Sequence, residues 1–315
     1  MKNIIFIVAI LSCFSFSHTG IDQKPKARWT HGICYDTDNK TVLIFGGSGA
    51  DDFFGDLWSF SNGTWKKLSD AGPPPRFKFA FAYDEKRKRA VLFGGSGPNH
   101  ELFSDTWEWD GKAWTKINAV GPAKRNHPMA GYDPQSQTII IKGGFNESGL
   151  LTDSWSFDGT KWIQLTDAGS AGNGLAHGMF VDGSTKRLTL ITAEMGDRNQ
   201  QQIRNTWWTL NKNKWEPGKE FPSTSNQSIQ AITAYGNGGV IFFDGDDIKN
   251  NNPLTAWLSK GNWTKQNIRG PAPRIGHAMV WDPVKKVVVL FGGFNRKNFF
   301  DDTWIFQNEK WVQQR

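Results

Sequence analysis

Cysteine is nearly absent from this chain, with two in 315 residues, Cys13 and Cys34. Cys13 lies in an N-terminal apolar segment, so Cys34 is the sole thiol expected in the mature chain and no internal disulfide frames the fold. The hydrophobic core has to suffice. Tyrosine is also scarce, at four against 16 Trp and 23 Phe. No apolar run reaches the roughly 20 residues that a membrane-spanning helix needs. Serine nucleophile elbows, phosphate-cradling glycine loops and zinc-ligand spacings are missing too, which removes the common signatures of hydrolases, nucleotide binders and zinc proteins.

What is present begins with residues 1–17, which read as an export signal: Lys2, an apolar run from Ile4 to Leu11, then Ser15 and Ser17 before the cleavage point. Residues 18–27 follow as an N-terminal tail. The expectation is a secreted or periplasmic protein without a transmembrane segment. Ile10-Leu11-Ser12-Cys13 also resembles a degenerate lipobox, which would anchor the chain through Cys13. A net charge of +7 suits an acidic partner, but export argues against nucleic acid.

From Arg28 onward one phrase recurs with a period of about 49 residues, which marks a repeat architecture. A strand-like run ends in Gly-Gly, Asp-x-Trp comes about ten residues later, and a second Trp follows that. The earlier tryptophans are Trp58, Trp107, Trp155, Trp207, Trp257 and Trp304; the later ones are Trp65, Trp114, Trp162, Trp215, Trp263 and Trp311. Each unit holds four strand-like segments. Alternation marks the first, as in Phe77, Phe79, Phe81 and Tyr83, and the second is a short apolar run such as Val42 to Phe45. Six four-stranded antiparallel units, each too small to bury both faces alone, close into an all-β, six-bladed propeller. The repeats run over residues 28–75, 76–124, 125–173, 174–227, 228–273 and 274–315 of a single domain. Each carries its own first and fourth strands, so little strand exchange is expected at the closure.

The pattern Arg-x-x-His, Gly-Gly, Asp-x-Trp, Trp resembles the kelch repeat, in the form also found in the central domain of galactose oxidases. Blades four and five depart from it. Thr192-Ala193 and Asp244-Gly245 stand for Gly-Gly, Asn205 and Thr255 for the Asp before Trp, and Gly174 and Ser228 for the leading Arg. Such departures mark either drift or a site. The copper radical chemistry of galactose oxidase is not implied, because Tyr35, Tyr83, Tyr132 and Tyr235 share one repeat position and leave no tyrosine pair for it.

Strand parity puts the short one-to-two and three-to-four turns on one rim. The long two-to-three loops and the interblade linkers share the other, and binding sites favour such loops on a rigid scaffold. The candidate ligand-binding residues on that rim are Arg28, Arg76, Arg125, Arg274, Glu194, Asp246, Asn295 and Arg296. In peptide-binding kelch domains the resemblance places pocket residues at these arginines and just after Gly-Gly. A structural arginine bonding the neighbouring blade is the other reading, since guanidinium suits both. His31, His177 and His277 share the position that Phe79 holds in blade two, so they read as packed side chains rather than a metal triad. Asp51-Asp52 and Asp244 to Asp247 lack full calcium-loop spacing. No metal or cofactor is expected, and the Lys86-Arg87-Lys88-Arg89 run reads as a solvated turn.

The sequence thus points to a monomeric, non-catalytic binding propeller for a carbohydrate, peptide or protein. The alternative is a periplasmic sugar-acid isomerase resembling kelch-type sialic acid mutarotases, in which rim arginines hold a carboxylate and Glu194 or an Asp is the acid/base. A plain scaffold with diffuse contacts is the third.

Overall fold

The structure is a computed structural model and describes residues 24–165, 171, 175–195, 203–222, 231–236, 239–244, 254–259, 262–266 and 268–314. The signal-peptide and lipobox readings, on residues 1–17, lie outside them. Among the described residues there is no helix, and none long and apolar enough to cross a membrane.

Six four-stranded antiparallel sheets follow one another along the chain. Blade one is β1 (Gly32–Asp36), β2 (Thr41–Phe45), β3 (Leu57–Ser61) and β4 (Thr64–Ser69); blade two is β5 (Ala80–Asp84), β6 (Arg89–Phe93), β7 (Thr106–Trp109) and β8 (Trp114–Ile117). Blade three holds β9 (Met129–Asp133), β10 (Thr138–Lys142), β13 (Ser154–Phe157) and β14 (Trp162–Gln164), with a small hairpin, β11 (Phe145–Asn146) and β12 (Gly149–Leu150), in its long loop. Blade four is β15 (Leu175–Val181), β16 (Leu188–Met195), β17 (Ile203–Asn211) and β18 (Lys214–Pro222). Blade five is β19 (Ala231–Tyr235), β20 (Gly239–Asp244), β21 (Leu254–Ser259) and β22 (Asn262–Gln266), and blade six is β23 (Ala278–Asp282), β24 (Val287–Phe291), β25 (Thr303–Gln307) and β26 (Lys310–Gln314). Within each blade the strands pair in sequence order, and the first strands β1, β5, β9, β15, β19 and β23 touch one another in a closed ring about the axis.

A first strand has a blade on either side, so both faces of its side-chain alternation are buried. Phe79, Phe81 and Tyr83 join the core shared with blade one, while Ala80 and Ala82 join the one shared with blade three. Six such cores lie between the six pairs of neighbouring blades. Closure needs no strand exchange. Tyr35, Trp58 and Trp65 of blade one pack directly on Val287, Val289 and Phe291 of blade six, and Gly293 N donates to Arg28 O at 2.8 Å.

The later tryptophan of a unit adds a polar tie to the blade before it. Trp65 Nε1 donates to Thr303 Oγ1, Trp162 to Thr106, Trp215 to Ser154 and Trp311 to Thr255, at 2.9 to 3.1 Å. Blade one offers Leu57 at that place, and Trp114 Nε1 is left without a partner.

Register corrects the reading of blades four and five. In the other blades the earlier Trp stands opposite the residue two before the first Gly of Gly-Gly, as Trp58 does opposite Ile44. Opposite Leu190, two before Thr192, the residue is Trp208 rather than Trp207; opposite Phe242, two before Asp244, it is Ala256 rather than Trp257. The places of the aspartate are therefore held by Thr206 and Leu254, not by Asn205 and Thr255.

Candidate functional site

The four leading arginines begin the site because the Gly-Gly turns are built on them. Arg28 is fully buried; its Nε donates to Lys26 O, and Nη1 to Gly46 O and to Asp56 Oδ1. Nη2 donates to Asp56 Oδ2, completing a two-pronged ion pair at 2.7 and 3.0 Å. Arg76 with Asp105, Arg125 with Asp153 and Arg274 with Asp302 repeat the arrangement, each also bonding the first glycine carbonyl of its own blade. Phe54, Phe103 and Phe300 stack beneath Arg28, Arg76 and Arg274 at 3.9 to 4.1 Å. The aspartate also accepts the indole N–H of the Trp two residues on, as Asp56 does from Trp58 at 2.7 Å. Arg, Gly-Gly and Asp-x-Trp are thus one hydrogen-bonded unit. Burial alone would raise the carboxyls of Asp56, Asp105 and Asp153, but arginine and indole donors outweigh it and hold all three below the usual aspartate value.

Four of five guanidinium donors are used inside the protein, and the ion pair lies within the arginine's own blade rather than across to its neighbour. The neighbour is reached through the backbone. Gly47 N donates to Arg76 O and Gly95 N to Arg125 O, at 2.9 and 2.8 Å. A Cβ on Gly46, Gly94 or Gly292 would come within 2.7, 2.9 or 2.5 Å of the next blade's arginine carbonyl, and the backbone there is left-handed. Glycine meets both demands.

The long loops fold back over these turns. Ser48 bridges both Trp29 and Phe53, Ser96 both Phe77 and Leu102, and Phe294 both Ile275 and Phe299. Half-buried aromatics therefore gather on the rim: Phe294 stacks on Phe299 at 4.5 Å, Trp29 leans on Phe294 at 5.5 Å, and Phe53 meets the buried Phe77 at 5.6 Å. Asn295 caps its own turn, its Oδ1 accepting from Lys297 N and Asn298 N, and Arg296 beside it is exposed. Glu194 stands opposite Arg204 across β16 and β17. Asp246 lies outside the described residues, as do the side chains of Glu194 and His177.

His31 and His277 are buried where Phe79 sits in blade two, edge-on to Phe291 and Phe243 at 5.5 and 5.3 Å. Desolvation first, then Arg28 and His277, pushes His31 down to about 3; desolvation and Arg274 take His277 to about 3. No group of three metal-ligating side chains occurs among the described residues.

A channel of about 980 Å³ runs along the axis and reaches the short-turn rim. Tyr35, Tyr83, Tyr132, Tyr235 and Trp281 line it, with Glu85, Lys186 and Lys286 near its mouth. Burial, and then Asp282 for Tyr35 and Asp36 for Tyr83, raises these phenols; both aspartates belong to the preceding blade. On this rim the Lys86 to Arg89 turn is less open than its charge suggests. Arg87 is half-buried, paired with Asp84 and Glu108, and lies over Phe157 of the next blade at 5.3 Å.

No curated protein matches the chain in sequence. A solved structure titled "Structure of YjhT" shares the fold, with a TM-score of 0.68 over 94% of this chain and 99% of that one at 14% identity. The model of the KLHDC2/KLHL20/DRC7 Kelch-repeats domain matches residues 4–163, half of the chain. Six four-stranded antiparallel blades carry the same architecture on to residue 314, and the chain belongs to the KLHDC2/KLHL20/DRC7 Kelch-repeats domain family.

Proposed function

We propose that this kelch propeller is an exported, non-catalytic binding protein that takes a carbohydrate, peptide or protein on its long-loop rim. The observation that carries the reading is the division of labour on that rim. Buried Arg–Asp–Trp units fix the Gly-Gly turns, and the loops above them present aromatic faces around Trp29, Phe53, Phe294 and Phe299 with polar groups between. Aromatic surfaces held rigid beside hydrogen-bonding groups suit sugar rings and peptide side chains alike. Asn295, Arg296, Glu194 and Asp246 are the proposed ligand-facing residues, while Arg28, Arg76, Arg125 and Arg274 support the loops from beneath.

A second reading, sugar-acid isomerisation, is favoured by one observation: Glu194 and Arg204 are paired residues in the register of β16 and β17. Thermal-shift screening of a glycan, sugar-acid and peptide library, followed by NMR of anomeric exchange on each hit, tests both. Saturable binding without exchange, weakened by Trp29→Ala and Arg296→Ala, is expected. Catalysed exchange lost in Glu194→Gln would replace the first reading with the second, and hits indifferent to every rim substitution would overturn both.

A further inference from the structure

Where the first strands of blades one, two, three and six begin, the backbone takes a left-handed residue. Two positions after the leading arginine, φ is 51° at Thr30, 57° at Lys78, 53° at His127 and 62° at Gly276. These four are strung together through the backbone: Thr30 N donates to Gly276 O at 2.7 Å, Lys78 N to Thr30 O at 3.0 Å and His127 N to Lys78 O at 2.7 Å. Glycine satisfies that arc at no steric cost, and blade six uses it. Threonine, lysine and histidine are strained there, the β-branched threonine most of all. The backbone arc does not need those side chains, so a role of their own is the question.

Their surroundings supply an answer. Lys78 is half-buried, yet among the described residues its ammonium meets no carboxylate and no hydrogen-bond acceptor, only the ring of Phe77 at 5.4 Å. Thr30 Oγ1 is enclosed and has no hydrogen-bond partner. His127 is exposed on the rim, with Nδ1 3.0 Å from Asn126 Oδ1 and Nε2 unpartnered among the described residues. Burial lowers Lys78, and desolvation followed by the Lys78 charge lowers His127, so the two groups feel each other. A cation kept partly out of water without a counter-charge is costly until an anion arrives.

We infer that Thr30, Lys78 and His127, on three consecutive blades at the axial opening of the long-loop rim, bind an anionic group of the ligand, a carboxylate or a sulfate or phosphate ester. This rests on the reading of that rim as the binding face. The ammonium supplies the charge and the hydroxyl a hydrogen bond. The anion's field draws a proton onto His127, which turns the imidazole into a second cation over the site.

The test follows the His127 ring resonances by NMR in the full chain during titration with glucuronate, with inorganic phosphate and with neutral glucose. Expected are saturable shifts with one or both anions, none with glucose, and a rise in the His127 pKa on binding. Lys78→Met should weaken the anion by about tenfold or more, as loss of a charge-assisted contact does. Thr30→Gly should stabilise the fold by relieving strain and still weaken the anion, a pairing that a purely structural threonine would not give. Glucuronate alone, or phosphate alone, identifies which anionic chemistry the site takes. No saturable shift with either anion, or equal affinity in Lys78→Met, overturns the inference. A rim ligand from the library whose affinity ignores Lys78→Met overturns it too while leaving the rim reading intact.

Discussion

Replacing His31 and His277 together by phenylalanine should make this propeller resistant to mild acid. Both rings are buried between blades, and both are held near pKa 3 against an ordinary 6.5. The folded state therefore keeps them neutral at pH 5, while the unfolded chain protonates them. A depressed pKa of this kind gives stability that is complete above about pH 6.5 and is lost as pH falls towards 3. At pH 5, about 1.5 pH units below the ordinary value, each ring costs about 2 kcal/mol, so the pair removes about 4 kcal/mol relative to pH 8. The carboxyls of Asp56, Asp105 and Asp153 are held low and stay ionised in this window, so they do not blur it. His127 is exposed, and solvent screening keeps its share small. Phenylalanine fits because Phe79 already fills the equivalent place, edge-on to Phe45 at 5.6 Å. Urea unfolding followed by tryptophan fluorescence at pH 8 and pH 5 measures the difference. If the double variant loses as much stability as the parent between those pH values, buried histidine protonation is not the cause.

Three further outcomes are expected. Arg76→Ala strands the Asp105 carboxylate and should cost about 3 to 5 kcal/mol in urea unfolding, with ligand affinity of the folded fraction unchanged; a cost under about 1 kcal/mol would show the pair to be incidental. Thr106→Val removes the acceptor of Trp162 Nε1 and should cost about 1 to 3 kcal/mol, whereas Leu57→Val, facing the unpartnered Trp114, should cost only the lost methylene of about 1 kcal/mol. Intact mass of exported protein should begin at His18; a lipid adduct at Cys13 would show the anchored form instead.

The blade count, the strand order and closure without strand exchange were legible because aromatic and glycine spacing is a one-dimensional signal. The one-residue shifts at Trp208 and Ala256 were not. The doublet Trp207-Trp208 presents two tryptophans to the same pattern, and only cross-strand pairing says which one stands opposite Leu190. The arginines were placed beside the Gly-Gly turns, but spacing cannot report that Asp56 or Asp105 claims the guanidinium, because that depends on a loop folding back by 28 or 29 residues. Arg87 was hidden among like charges, its partner Glu108 lying on another strand. Thr30, Lys78 and His127 were not read as a group for a different reason. A left-handed turn has no compositional mark when the residues adopting it are not glycine.

The indole ties between blades also say something about how these six copies relate to one another. Trp162 was placed to read a threonine in the blade before it, Trp215 a serine, and Trp114 a leucine that gives its N–H nothing. Each copy is written for the neighbour it has. The repeats are ordered parts rather than interchangeable ones, and shuffling blades with every fold-defining residue intact would still put the wrong letter in front of a tryptophan.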